Sequence, residues 1–408
     1  MSEENGSIRR LRQLAGTRAP LLGLAVLGMI VTFGAGWALG GASETDPEVG
    51  LGTSEPRTQP APTVPHGTAG SGHAGDGATV LPAQPGTEGI RAPQPFAAPL
   101  PNPARPPKPP VKAFSCPKPT VRVTTADGLT AALAAARPGD SIALAEGVYV
   151  GEFKAVLRGT AKKPVYLCGP REAVLDGGGI KGGYALHLDG ASWWRVKGFT
   201  VRNGQKGIML DGVTGVGLQG LRVDQIGDEA VHLRRHSRRN VVRGLTIGVT
   251  GLRRPKFGEG VYIGTAESNW CTYTGCQQDH SDGNFVLDNV FTATSSEAVD
   301  IKEGTNAGVV SGNRFDGASI RGADSWVDVK GNGWLITNNT GVRAPYDGYQ
   351  VHEIVDGYGY RNLFSKNVSK VDAPGLAFKV TKTRSGNVVT CSNRASGARE
   401  GLTNIPCR

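Results

Sequence analysis

From about residue 120 onward, apolar and variable residues alternate in short runs, each bounded by glycine, proline or asparagine. This is the pattern of half-buried strands. Ser141-Ile-Ala-Leu, Gly147-Val-Tyr, Pro164-Val-Tyr-Leu and Ala173-Val-Leu-Asp-Gly open the series. Just before them, Leu129 and Leu133 share one face of a stretch capped at Thr125 or Asp127 and stopped by Pro138-Gly-Asp, which predicts a short helix over 129–136.

One strand is then reused. Glu229-Ala-Val-His-Leu-Arg234 returns as Glu259-Gly-Val-Tyr-Ile-Gly264, Glu297-Ala-Val-Asp-Ile-Lys302 and Ser325-Trp-Val-Asp-Val-Lys330, at spacings of 30, 38 and 28 residues. Asparagines recur at matching corners: Asn284 and Asn289, Asn313, Asn338 and Asn339, Asn362 and Asn367, Asn387 and Asn393. Stacked asparagines hydrogen-bond in ladders and tolerate left-handed backbone, which suits a bend between two sheets. The pattern predicts an all-β fold, a parallel β-helix solenoid over 114–408, with the short helix capping its N-terminal end. A sandwich of antiparallel hairpins would also give short strands, but not one motif recurring at coil-length spacing. The insertions Arg253-Arg-Pro-Lys256 and Ser268 to Asp282 are placed to wall a groove.

With Val299 and Ile301 in the core, Asp300 and Lys302 face out. Stacked coils therefore build two columns: His232, Tyr262, Asp300 and Asp328 beside Arg234, Gly264, Lys302 and Lys330. At about 4.8 Å between coils, Lys302 and Lys330 should lower at least one lysine pKa and so suit it to act as a base. Asp300 and Asp328 also read as an acid and base pair for glycoside hydrolysis. Glu259, Glu297 and Asp300 offer the oxygen ligands that calcium takes. Salt bridges on a solvated face are the plain alternative. His232 and His352 fall in or near the columns, and Trp193, Trp194, Trp326 and Trp334 could stack on sugars, though core or corner packing suits most of them better.

The front of the chain is different. Leu21 to Ala42 is uncharged, with Arg9, Arg10, Arg12 and Arg18 before it and Glu44, Asp46 and Glu48 after it. This predicts a cytoplasmic basic tail (1–20) and a signal-anchor (21–42), with the C-terminal body extracytoplasmic or, if cleavage follows Ala42, secreted. Residues 43–113, rich in Pro, Gly, Ala and Thr, read as a disordered linker. The six cysteines all lie in the body and are even in number, as expected of disulfides in an exported chain. Proximity suggests Cys271 with Cys276 and Cys391 with Cys407, leaving Cys116 with Cys168, although other pairings are open. A net charge of +10 points to anionic partners, which outside the cytoplasm means acidic polysaccharide, teichoic polymer or lipid head groups rather than nucleic acid. A monomer is expected.

The run Glu259 to Gly264, then Glu297 to Lys302, Asn313-Arg-Phe and a cation before Gly331-Asn resembles the active-site coils of the family six polysaccharide lyases, the alginate lyase and chondroitinase B group. Pro138-Gly-Asp-Ser-Ile-Ala-Leu-Ala-Glu-Gly-Val-Tyr149 is similar to the first coil of pectate-lyase-like proteins. The resemblance covers roughly 121–339 and implies a right-handed β-helix. It further implies that Lys302 takes the C5 proton of a uronic acid and that Lys330 assists, standing where that family has an arginine. It makes Glu297 a candidate calcium ligand, to which the oxygen-ligand chemistry above adds Asp300 and Glu259; the outward columns, independently of the resemblance, offer Arg234, His232, Tyr262 and Asp328 to bind substrate. Ser295 and Tyr262 depart from the family pattern. The expected function is thus a membrane-anchored lyase acting on an acidic polysaccharide by β-elimination. The alternatives are a non-catalytic binder of anionic glycans and a hydrolase using Asp300 and Asp328.

Overall fold

A computed structural model describes residues 98–408. Each coil gives one strand to each of three parallel sheets: Val299–Ile301, Val309–Ser311 and Arg314–Asp316 make one such coil. The sheets hold eleven, ten and ten strands, each pairing in parallel with the coil before and after. Period-two alternation makes this possible, because every strand sends one set of side chains inward. Leu210, Leu233, Ile263, Ile301, Val329 and Val351 stack on the inner face of one ten-stranded sheet, the one that carries the charged columns.

The corners follow the asparagine pattern. Asn289, Asn313, Asn339, Asn367 and Asn393 form a ladder in which each side-chain NH2 donates to the carbonyl oxygen of the next asparagine, at 2.9 to 3.0 Å. Residues just before rungs of this ladder, such as Asp288, Asn338 and Lys366, take positive φ. Three of the four tryptophans considered as sugar platforms fill the core instead: Trp194, Trp326 and Trp334 are fully buried. Gly341 has no side chain because a Cβ there would lie 2.4 Å from the Trp326 ring.

The helix runs Ala126–Ala135, earlier than expected, because Thr125 caps it and accepts from the Gly128 N–H at 3.1 Å. The three disulfides are Cys116–Cys168, Cys271–Cys276 and Cys391–Cys407. Residues 98–113 fall in the predicted linker yet lie on the solenoid. Ala98 meets Gly333, while Val111 is buried and packs with Phe114 against Val241, Phe285, Val309, Leu335 and Leu363, an outward apolar stripe of the eleven-stranded sheet. Phe114 is fixed further by Gln219 and Lys197. This strap forms because the stripe supplies the apolar partner that composition alone does not reveal. The predicted tail, anchor and first part of the linker lie outside the described residues. No helix among the described residues is long and apolar enough to cross a membrane.

Candidate active site

The repeated strands stand side by side in the expected register, so His232, Tyr262, Asp300, Asp328 and Gln350 form one column. Arg234, Gly264, Lys302 and Lys330 run beside it. Gly264, at φ +90°, leaves room for its neighbour, since a Cβ there would come within 3.2 Å of Lys302 Cβ and 2.7 Å of Thr305.

Asp300 is the hub. It is 2% exposed, and its two oxygens accept from Lys302 Nζ at 2.8 Å and Lys330 Nζ at 2.9 Å. Lys330 also reaches Asp328 at 2.5 Å. Burial alone would push Asp300 up, but the two ammonium groups outweigh it and hold it at about 2. Burial likewise acts to lower both lysines, and their carboxylate neighbours outweigh it, so Lys302 and Lys330 lie above their usual value. The expected lowering by mutual crowding does not occur, because Asp300 stands between the two charges.

Tyr262 is half-buried, with the Lys302 ammonium 5.0 Å from its ring centre and the His232 ring 4.4 Å away. Burial, then the Asp300 and Glu259 charges, push its phenol well up, so it holds its proton. His232 is anchored rather than open: its Nε2 donates to the Gly264 carbonyl at 3.0 Å, and burial lowers its pKa. Arg234 donates to both oxygens of Asp211 at 2.7 and 3.2 Å and to the Tyr184 hydroxyl at 3.2 Å, and the Tyr273 ring lies 4.0 Å from its guanidinium carbon. Much of its charge is therefore already balanced.

The strand starts carry a second acidic row. Glu229 is paired with Lys206 and is held low by Lys206 and His232 against the effect of burial. Glu259 has no such partner: its Oε2 is buried and unbonded, and burial, then the charges of Glu229, Glu297 and Asp300, push it well up. Burial, then Asp300, raise Glu297 to about 7. Carboxylate oxygens of Glu259, Glu297 and Asp300 lie within 4.8 Å of one another, a set that could hold a metal ion; His187, Asp189 and Asp211 form another.

Raising Glu297 makes its charge a cost to folding. The folded state favours the protonated form, so the penalty is absent below the ordinary value of 4.5 and complete once pH passes about 7. Glu297→Gln should therefore match the parent in acid and exceed its stability by up to about 3 kcal/mol above neutrality. Denaturant midpoints at the two pH values check this; an equal offset at both would refute it.

Two loops flank the strand Val261–Ile263 in the chain, one after it and one before it. The first is the 264–282 insertion, organised by buried Asp279, which accepts from the Arg235 and His236 N–H groups at 2.9 and 2.8 Å and from Thr265 Oγ1 at 2.6 Å. Glu303 fixes the same loop by accepting from the Glu267 N–H at 2.6 Å. The second is the Arg253 to Lys256 loop, held by Arg253 on Asp228 and by Ser295, which donates to the Pro255 carbonyl at 2.8 Å.

Asp211, His187, Lys206, Tyr273 and Gln350 were missed as members of the groove. For the first three a signal existed: Tyr184-Ala-Leu-His-Leu-Asp189 and Lys206-Gly-Ile-Met-Leu-Asp211 are further copies of the repeated strand.

Paired lysines and carboxylates on one outer face of a parallel β-helix make up the candidate site. No family model matches the sequence, and no curated protein does. Among solved structures, an alginate lyase from Paenibacillus sp. str. FPU-7 is 34% identical over 70% of this chain and 99% of its own, with a TM-score of 0.66. The pectate lyase Pel9A is 13% identical over 71% of this chain and 78% of its own, at a TM-score of 0.46. A mannuronic acid specific family 6 lyase from human gut microbiota is 13% identical over 70% and 82%, at 0.38. The chain belongs to the family of the Paenibacillus enzyme, the right-handed parallel β-helix polysaccharide lyases.

Proposed function

We propose that the protein cleaves a uronic-acid polymer by β-elimination, with the polymer lying along the groove across successive strands. The observation that carries this is the Lys302–Asp300–Lys330 cluster beside Tyr262, in a chain 34% identical to an alginate lyase. A proton next to a carboxylate becomes acidic when that carboxylate is neutralised, and Lys330, the cation beside Lys302, would share its charge between Asp300, Asp328 and the substrate carboxylate. Lys302 takes the C5 proton, the C–H electrons form the C4–C5 double bond, the C4–O4 bond breaks, and the Tyr262 hydroxyl gives its proton to O4. Because Asp300 holds Lys302 protonated, its basic form grows about tenfold per pH unit through neutrality, so activity should climb into the alkaline range.

Calcium is the cation an all-oxygen set takes. Glu259, with its unbonded buried oxygen, and Glu297 would hold it, since Asp300 is committed to the lysines. When bound, it would add positive charge near the uronate carboxylate. The anchored, extracytoplasmic placement is proposed from the charge pattern around Leu21 to Ala42 alone.

Glycan binding without cleavage is favoured by one observation: both lysines are held protonated in the free groove. Hydrolysis through Asp300 and Asp328 is disfavoured, because a carboxyl held at about 2 by two lysines does not serve as a general acid. The test is ultraviolet absorbance of unsaturated products from alginate, pectate, glycosaminoglycans and glucuronans, with and without calcium. A rise that steepens with pH is expected on at least one polymer, with calcium raising the rate or the melting temperature. A flat trace with retained polymer binding would replace the lyase reading by the binding one.

A further inference from the structure

Past Lys330 the second column continues to His352, and the floor beside it holds one edge of that imidazole. Gln350 and Asp347 are 1% and 0% exposed. Gln350 Nε2 donates to Asp347 Oδ2 at 2.7 Å, and Asp347 Oδ1 accepts from the Leu376 N–H at 2.6 Å. An ionised carboxylate only accepts, so the NH2 end of Gln350 must face Asp347 and its carbonyl oxygen must face away. That oxygen lies 2.6 Å from His352 Nε2, which must therefore carry the hydrogen. The relay fixes the tautomer, and neutral His352 is left with a bare acceptor at Nδ1.

The side chain is 29% exposed, and no protein group among the described residues bonds Nδ1. The charges around it are already engaged. Asp328 is held by Lys330 through Oδ2, while its Oδ1, buried and otherwise unbonded, lies 3.5 Å from Nε2 and so also faces the hydrogen there; Lys330 serves Asp300 as well, Lys379 lies 3.4 Å from Asp347, and Lys382 pairs with Glu353. What remains is a fixed nitrogen that accepts one hydrogen bond. A uronate carboxylate has none to give; a sugar hydroxyl has.

We propose that His352 is a specificity residue that accepts a hydrogen bond from a free hydroxyl of the sugar one coil beyond Lys330, so that polymers O-acylated at that hydroxyl are poor ligands and poor substrates. This rests on the uronate-lyase reading and names a feature of its substrate. An ester both removes the donor and adds bulk. A site built to pair a hydroxyl discriminates more strongly than an apolar pocket of equal size.

The experiment compares one polyuronate, fully deacylated and chemically O-acetylated, in mildly alkaline buffer. The full chain should prefer the free polymer by about tenfold or more in kcat/KM. His352→Phe, which keeps a ring and loses the acceptor, and His352→Ala should both bring that ratio close to one. Calorimetric binding of the same two polymers reads the same preference without cleavage, so a parent that binds but does not cleave refutes the lyase reading and still decides this one. An unchanged ratio in both folded variants, or a parent indifferent to acetylation, would overturn the proposal.

Discussion

Lys302→Ala is expected to lower kcat/KM on the responsive polymer by about 10^2 to 10^4-fold, the range typical of losing a positioned proton carrier. Folding should change far less, because Asp300 keeps Lys330 as a partner. Lys302→Arg separates the two roles the geometry allows. An arginine keeps the positive charge but does not deprotonate in a protein. If Lys302 takes the C5 proton, the arginine variant should be nearly as slow as the alanine variant, and the alkaline climb in rate should vanish from both. Recovery to within about tenfold of the parent would instead make Lys302 an electrostatic partner only. Tyr262→Phe offers a control on the other side of the substrate: it keeps the ring under the Lys302 ammonium and removes only the hydroxyl proton.

Asp300→Asn should carry the largest stability cost among groove substitutions, about 3 kcal/mol or more. The amide can still accept a hydrogen bond but no longer offsets the charge of two nearly buried lysines. Asp328 remains for Lys330, while Lys302 loses its nearest counter-charge. The same change removes the main cause of the raised Lys302 pKa, so the residual activity should peak at lower pH than in the parent. A denaturant midpoint equal to the parent's would contradict the description of Asp300 as a buried hub. A lower midpoint with an unmoved pH profile would contradict the assignment of Lys302 as base.

Much of the architecture was legible because a solenoid repeats the same local solution. Val299 and Ile301, read once as inward, fix the facing of Asp300 and Lys302, and the same parity carries to His232, Tyr262 and Asp328 in neighbouring coils. The asparagine ladder was legible for the same reason. The electrostatic outcome was not. Lys302 and Lys330 are neighbours in sequence pattern, but the sign of their pKa shifts depends on a third side chain reaching between them, and strand parity does not report side-chain reach. Arg234 was read as free to bind substrate, yet Asp211 lies one coil before it and Tyr273 comes from an insertion without periodicity. Gln350 shows nothing unusual in sequence; its role follows from Asp347, whose carboxylate settles which way the amide turns.

The strap from Ala98 to Cys116 runs against the direction in which the coils advance. It begins at Gly333, at the corner that follows Lys330, and ends on the strand of Cys168 near the first coils, bound there by the disulfide. Val111, Phe114 and the disulfide therefore hold the start of the described chain along the outer flank of the eleven-stranded sheet. The charged floor lies on a different sheet from this seam, so the tie and the site occupy separate faces of one solenoid.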